Sequence, residues 1–391
     1  MRILFLTYYF PPDLSAGSFR SSKLVTELKA QLKIKANIEV ITTLPNRYST
    51  FKSKAINYEK KTGITIHRIN LPKHNNGMLA QCKGFLVYVR ELNNLLAEKD
   101  YDLIYATSSR MMTATLGSYI SRKLKKPLYL DLRDIFIDTI KEVLPTPLMF
   151  FLLPMLILIE KYTIKRANKI NLVSDGFLPY FKKRYPNTKF KVFTNGIDDE
   201  FLNFKIENKN KNKKNFKLLK VLYAGNIGEG QGLEKIIPKL ASKLKEKVSF
   251  TLIGDGSRRK LLEKKISNLE LHNIELLPPV DRIELIEFYK HADILFLHLN
   301  NYEAFKKVLP SKLFEYASTG KPIWAGVSGY AKKFIDENIE NAVIFRPCDV
   351  NQAILSFEDL EIVDNERKNF KKKFSRKKII KNMAKDIITI T

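Results

Sequence analysis

The apolar positions of this chain fall in short, nearly unbroken runs, each followed by a stretch in which apolar residues recur at helical spacing. In the first half the runs are Arg2–Tyr9, Ile38–Thr42, Ile64–Ile69, Leu103–Ala106, Pro127–Leu130 and Ile170–Val173. In the second half they are Leu218–Ala224, Val248–Ile253, Ile274–Leu277 and Ala292–Leu299. A strand that is apolar at every position is covered on both faces, which is the mark of a parallel sheet between helical layers. The intervening segments read as helices: from about Phe19, with Leu24, Val25, Leu28 and Leu32 on one face, then Leu79–Lys99, Met111–Leu124 and Ile283–Tyr289. Strand and helix alternating twice over predicts an α/β protein of two doubly wound domains.

A run of Lys and Asn, Lys205–Lys217, has no apolar pattern until Phe216 and separates the two alternations. Its composition buries too little surface to fold and predicts a flexible linker over 204–217, between domains at 1–203 and 218–375. A chain of 391 residues suits two cores better than one, and 45% hydrophobic content excludes a disordered protein. The two cysteines, Cys82 and Cys348, argue against a disulfide framework or zinc site and fit a reducing cytoplasm. Met1–Thr7 runs directly into a strand pattern without the layout of a signal peptide. The net charge of +27 favours anionic partners such as phosphates or anionic lipid. Nucleic acid is not expected as a partner, because no zinc finger, RNP sequence or GXXG clamp gathers the charge.

One stretch, Val143–Ile159, is uncharged throughout and interrupted by Pro145, Pro147 and Pro154. It falls just short of the ~20 apolar residues of a spanning helix. It either lies in one leaflet, with Lys141, Lys161, Lys165, Arg166 and Lys169 at the headgroups, or forms a buried helix.

Candidate chemistry gathers where strands end. After the first strand comes a loop with Gly17 and Ser18; its lone glycine does not make a dinucleotide fingerprint. Asp131-Leu132-Arg133-Asp134 follows the strand ending at Leu130, and two acids flanking an Arg serve equally as a structural pair or a site. In the second half, Gly225-Asn226-Ile227-Gly228-Glu229-Gly230-Gln231-Gly232 and Gly254-Asp255-Gly256-Ser257-Arg258 let backbone approach a phosphate, although no Walker Gly-Lys-Ser/Thr is present. Pro310-Ser311-Lys312-Leu313-Phe314-Glu315 opens a helix closed by Gly320, with its amide end toward the crevice at the strand ends. Glu315 lies one turn in, within reach of sugar hydroxyls. A capping box from Ser311 would need its acid at Phe314, so a purely capping role misses by one position.

Pro310–Ile323 resembles the donor-site signature of retaining family-4 glycosyltransferases of GT-B fold, in the branch that builds bacterial surface polysaccharides. Tyr9-Phe10-Pro11-Pro12 with Gly17, the Asp131–Asp134 tetrad, Ser174-Asp175-Gly176 and Asn195-Gly196-Ile197-Asp198 are similar to further passages of that family. The likeness is strongest over Tyr223–Gly326. It implies two Rossmann-like domains facing across a cleft, with a C-terminal helix at about 376–391 returning to the first domain. It also implies transfer of a sugar, with retention, from a nucleotide diphosphate donor (UDP above all) to a hydroxyl of a lipid-linked or glycan acceptor. Glu315 then holds the ribose, and Pro278-Pro279-Val280 the base. Gly17, Asn226, Gly228, Gly232, Gly254, Pro310, Ser311 and Leu313 line the donor, while Ser18, Arg133 and the catalytic candidate Asp134 face the acceptor.

The chain departs from the family at Lys307, where the partner of Glu315 is usually an acid, and at Asn226 and Gln231, which stand where the diphosphate is usually clamped by Arg and Lys. Lys312 is therefore expected as the main phosphate contact and Arg258 as the second, with amides of Gly228–Gly232 adding to them. No acidic pair is placed for a metal, so neither a metal nor another cofactor is expected. The family likeness also favours the peripheral-membrane reading of Val143–Ile159, on the inner face of a bacterial cytoplasmic membrane. Two other activities fit the same residues: a GT-B sugar-nucleotide epimerase, and a non-catalytic sugar-nucleotide-binding protein.

Overall fold

The computed structural model describes residues 1–390 except 34–35, 47–53, 73–77, 98, 109–110, 144–145 and 205–217. It divides into two compact units, Met1–Asn195 with Lys377–Thr391, and Gly196–Arg376. The Lys/Asn run 205–217 lies outside the described residues. The boundary between units precedes it, because residues 196–204 are already bound to the second unit. Phe201 and Phe204 enter that unit's core, and Asp198 pairs with Arg376 (Nε–Oδ1 2.9 Å) and Arg282 (2.5 Å).

In the first unit the strands are β1 (Arg2–Leu6), β2 (Asn37–Thr43), β3 (Tyr58–Lys61), β4 (Ile64–Ile69), β5 (Leu103–Thr107), β6 (Leu128–Leu132), β7 (Lys169–Leu172) and β8 (Phe190–Val192). They form one sheet in the order β3-β4-β2-β1-β5-β6-β7-β8, parallel except for β3 against β4. Ile3, Phe5, Val40, Tyr105 and Tyr129 pack with Leu24 and Leu28 of the helix Ala16–Leu32 and with Met383, Ala384 and Ile387 of the helix Arg376–Ile388. The helix after β1 starts at Ala16 rather than near Phe19, because the Ser15 hydroxyl accepts the Ser18 amide at 3.1 Å and caps it. Gly17 and Ser18 are thus helical and buried, not loop residues. Likewise β6 runs on to Leu132, so Asp131 lies inside the sheet and not at its edge.

The second unit carries β9 (Leu219–Ala224), β10 (Val248–Ile253), β11 (Ile274–Leu277), β12 (Ile294–His298), β13 (Ile323–Gly326) and β14 (Ala342–Phe345), in the order β11-β10-β9-β12-β13-β14. Every pairing is parallel. Alternate residues feed two cores: Leu222, Ala224, Leu295 and Leu297 face one way, while Val221, Tyr223, Ile294 and Phe296 face the other. This two-sided burial is the reason the strands read as continuous apolar runs. The chain winds one way through β9, β10 and β11 and the other way through β12, β13 and β14. The gap beyond the ends of β9 and β12 is therefore a topological switch point, where open α/β sheets take ligands.

Residues 146–159 of the uncharged stretch lie in the helix Thr146–Arg166, with Pro154 inside it. Its segment Pro147–Arg166 is long and apolar enough, by length and composition, to cross a membrane, which corrects the shorter span expected from sequence. It is not a core helix. Met149 and Leu156 pack with Met111 and Ile137, whereas Phe150 and Phe151 are each 77% exposed and Leu158 is 64% exposed.

Candidate functional site

At the switch point of the second unit, the loop Gly225–Gly232 after β9 meets the loop after β10 and the loop after β12. Ile227 N donates to Asp255 O (2.8 Å), Arg258 N to Ile227 O (3.0 Å), and Asn300 N to Gly230 O (2.8 Å). A Cβ on Gly254 would overlap the Gly225 carbonyl, so the first two loops can approach only as glycine. Gly232 adopts φ 58° and starts the helix Leu233–Lys243 in the left-handed region. Beneath the loop sits His298, fully buried, with Nδ1 2.6 Å from Gln231 O and Nε2 accepting the Cys348 amide at 3.0 Å. Because Nε2 accepts, the ring proton is on Nδ1 and is donated to Gln231 O. Burial pushes this imidazole down to about 4, so it stays neutral and holds the loop without adding charge.

The helix Lys312–Thr319 ends at Gly320 in the left-handed conformation, as the sequence indicates. Its first turn differs from expectation. The Leu313 amide donates to Pro310 O (3.1 Å) and the Phe314 amide to Ser311 O (3.2 Å), so neither is free for a phosphate. The Leu313 side chain is wholly in the core. In the loop after β9, the Gln231 and Gly232 amides likewise donate to Gly228 O. Glu315 is only 8% exposed, and its Oε2 accepts both Lys312 Nζ (2.6 Å) and the Tyr289 hydroxyl (3.2 Å). Burial and the Glu315 charge hold the Tyr289 phenol well above its ordinary pKa, so it acts as a donor. Among the described residues Oε1 of Glu315 takes no hydrogen bond, which leaves it as an acceptor for a hydroxyl.

Lys312 is therefore not the unbalanced cation expected from sequence. It is ion-paired one turn away, with its ammonium 5.9 Å from the Tyr289 ring centroid. Asn226 Nδ2 donates to Gln231 Oε1 (2.8 Å), so the two neutral replacements lock to one another. Arg258 occupies the position before the helix Arg259–Asn268, and its side chain is ion-paired with Glu229. Glu229 also accepts from the Tyr302 hydroxyl and lies 3.9 Å from Lys235 Nζ. Val280 lies in the loop after β11, just before Asp281 caps the helix Arg282–His291. Tyr289, Glu229, Lys235 and Tyr302 were missed from sequence. The lone acid inside a glycine loop, with a cation shortly after it, was the available signal for two of them, Glu229 and Lys235.

In the first unit, Arg20 is fully buried and paired with Asp131 (Nε–Oδ2 3.0 Å). Tyr105 and Asn171 also donate to Asp131, at 3.0 and 2.6 Å, and Arg20 donates to the Thr194 and Phe193 carbonyls at 2.7 and 2.8 Å. Burial opposes ionisation of Asp131, but the charges of Arg20 and Arg133 and these hydrogen bonds outweigh it and hold its pKa below the ordinary value. Asp131 is thus a structural ion, and the tetrad divides. Arg133 donates to Asn195 Oδ1 (3.3 Å), and its amide to the Ser108 hydroxyl (2.8 Å). Asp134 has an enclosed Oδ1 with no hydrogen bond among the described residues, and burial raises its pKa to about 6. The buried Ser18 hydroxyl also has no partner among them. Among the described residues no group of three or more His, Cys, Asp and Glu is arranged to hold a metal.

The chain is similar in sequence or fold to several known proteins. The colanic acid biosynthesis glycosyl transferase WcaI of Escherichia coli K12, a putative assignment, is 34% identical over 100 residues; the match spans 26% of this chain and 24% of that protein. Two solved structures share the fold over essentially their whole length. Sucrose-phosphate synthase from Thermosynechococcus elongatus has a TM-score of 0.76 at 12% identity, covering 100% of this chain and 99% of that one. Anabaena HepE, solved with UDP-glucose, has a TM-score of 0.68 at 18% identity, covering 100% of both chains. Residues 204–377, which carry the whole second-unit site, match the family of glycosyl transferases group 1.

Proposed function

We propose that the protein is a retaining glycosyltransferase of family 4. In this reading it moves a sugar from a nucleotide diphosphate donor, UDP above all, to a hydroxyl of a lipid-linked or glycan acceptor in surface polysaccharide synthesis. The observation that carries the proposal is the placement of Glu315 at the switch point. There an almost buried carboxylate, held by Lys312 and Tyr289, keeps Oε1 open beside a glycine loop. A ribose takes hydrogen bonds to Oε1, and the diphosphate lies along Gly225–Gly232. The match to glycosyl transferases group 1 over the same residues supports this, as do UDP-glucose in HepE and the colanic acid assignment of WcaI.

Departure of the nucleotide leaves an oxocarbenium-like sugar and a diphosphate of growing negative charge. Arg258, Lys235 and Lys312 are the cations available to offset that charge, a contribution of roughly 3 kcal/mol for a good contact. Turnover in this reading survives EDTA, since these cations fill the place of a divalent ion. Ser18, Arg133 and Asp134 are the acceptor-side candidates. The exposed face of the helix Thr146–Arg166, with Phe150, Phe151 and Leu158, rests on an anionic membrane where the acceptor lipid resides, and Lys161, Lys165 and Arg166 reach the headgroups.

The test is incubation with a panel of nucleotide sugars, with and without a bacterial lipid-linked saccharide extract, followed by assay of free nucleotide. Release that depends on extract, with the sugar appearing on lipid, is expected. Release or epimerisation without any acceptor would point to an epimerase, and binding without release to a non-catalytic sugar-nucleotide receptor. Lys307 together with the neutral Asn226 and Gln231 gives that last outcome its standing.

A further inference from the structure

The cations on the glycine loop are already occupied. Glu229, from the middle of Gly225–Gly232, is ion-paired with Arg258, whose amide is bound to the same loop through Ile227 O. Its Oε1 takes the Tyr302 hydroxyl and lies 3.4 Å from Asn300 Nδ2 and 3.9 Å from Lys235 Nζ. Lys235 is fixed in turn by Asn300 Oδ1 at 3.1 Å and lies 5.2 Å from the Tyr302 ring centroid. Four donors on three elements thus converge on one carboxylate, which is less than a quarter exposed.

This arrangement has the composition of a phosphate site. It combines an Arg, a Lys, a phenol and an amide at the switch point, beside a backbone that only glycine permits. With Asn226 and Gln231 bonded to each other and Lys312 held by Glu315, the charge at this loop comes from Arg258 and Lys235. Glu229 reduces their combined charge from two to one. Without it, the cluster matches the two or more negative charges of a diphosphate. Glu229 is on a loop outside the strands and helices, with its side chain 23% exposed, so a change of rotamer carries its carboxylate into solvent.

We propose that Glu229 is a built-in counter-ion that occupies the diphosphate position of the empty donor site and is displaced when a nucleoside diphosphate binds Arg258, Lys235 and Tyr302. The proposal rests on the donor-site reading given above and extends it to three residues and an exchange step. Binding swaps one anion for another, so the site never holds two bare cations, and the carboxylate competes with the product for the same donors.

Binding of UDP, inorganic pyrophosphate and uridine to the full-length protein by calorimetry tests it, in wild type, Glu229→Gln, Arg258→Gln and the double variant. Glu229→Gln keeps the shape of the side chain and removes the competing charge. It is expected to bind pyrophosphate and UDP at least tenfold more tightly than wild type. Arg258→Gln is expected to bind both at least tenfold more weakly, with Glu229→Gln adding little in that background. Uridine, which lacks phosphate, is expected to bind all four alike. Equal or weaker UDP binding by Glu229→Gln overturns the displacement, because Glu229 would then organise the site or stand apart from it. If wild type binds UDP while Glu229→Gln changes nothing, only the displacement fails. If no variant binds UDP, the donor-site reading fails with it.

Discussion

Both units carry paired charges on or beside their central strands, and the two sets of charges differ in kind. Arg20 and Asp131 of the first unit are 0% and 1% exposed at their side chains, and the donors and carbonyls around them engage both groups closely. Glu229 with Arg258, and Lys312 with Glu315, sit on loops and a helix start at 23%, 40%, 27% and 11% exposure. A buried pair satisfied on every side is a structural cross-link, since opening it strands a charge in a low-dielectric core. A partly exposed pair on a loop or helix start costs less to open, and its groups can exchange partners. Ion pairs of similar chemistry therefore carry different work in the two units, and burial decides which.

The largest effect expected is on the first pair. Asp131→Asn or Arg20→Met should cost about 3–5 kcal/mol of stability. A shift of this size lowers the melting temperature by on the order of 10 °C in a domain of this length. A change of a degree or two would abolish the distinction between the two sets.

Asp134 sharpens it on the first unit's own ground. Its pKa is raised to about 6 because burial penalises the carboxylate. A raised pKa means that the folded state holds the proton longer than the unfolded chain. The stability it contributes is present below about pH 4 and is lost as pH rises through about 6, by roughly 3 kcal/mol for a shift of two units. Asp134→Asn should thus gain stability over wild type at pH 8 and lose that advantage by pH 4. A pH-independent difference in melting temperature would remove the buried-carboxyl reading.

The exposed face of the helix Thr146–Arg166 allows a milder break. Phe150→Ser, Phe151→Ser and Leu158→Ser combined should release the protein from vesicles of anionic lipid while leaving its melting temperature nearly unchanged. Leu152 is unsuitable, because it packs against Met111 and Ile137. Residual attachment should fall further as salt rises, since headgroup contacts are screened. Unfolding of the triple variant would show that this face belongs to a core. Smallest of all, Arg258→Gln should change stability by no more than ~1 kcal/mol, as expected for an ion pair whose cation is 40% exposed. A larger loss would move that pair into the structural class.

Much of this fold was legible because two-sided burial writes itself as continuous apolar runs, as in Leu219–Ala224 and Ile294–His298. The polar edge strand Tyr58–Lys61 carries no such run and could not be read. The helix start at Ala16 was hidden because Ser15-Ala16-Gly17-Ser18 has the composition of a turn, and only the Ser15 cap reveals it. For the site, Glu315, Arg258 and the glycine loops were visible as motifs. Their partners were not: Tyr289 is 26 residues from Glu315, Arg20 is 111 from Asp131, and only sheet pairing brings such residues together. The free amides and the lone Lys312 expected from sequence failed for one reason. A short helix start closes its own turn bonds and ion pairs before any ligand arrives.

The central claim is that the second unit's loop and helix-start charges bind a nucleotide sugar while the first unit's buried Arg20–Asp131 pair holds the fold. Binding of UDP and of a UDP-sugar to wild type and Glu315→Gln, measured beside their melting temperatures, tests it most directly. The account predicts donor binding weaker by about tenfold or more, a loss of at least ~1.4 kcal/mol. The melting temperature should stay within about 4 °C of wild type, the shift of a ~1 kcal/mol change. Unchanged donor binding, or a melting temperature that falls as far as that of Asp131→Asn, would contradict it.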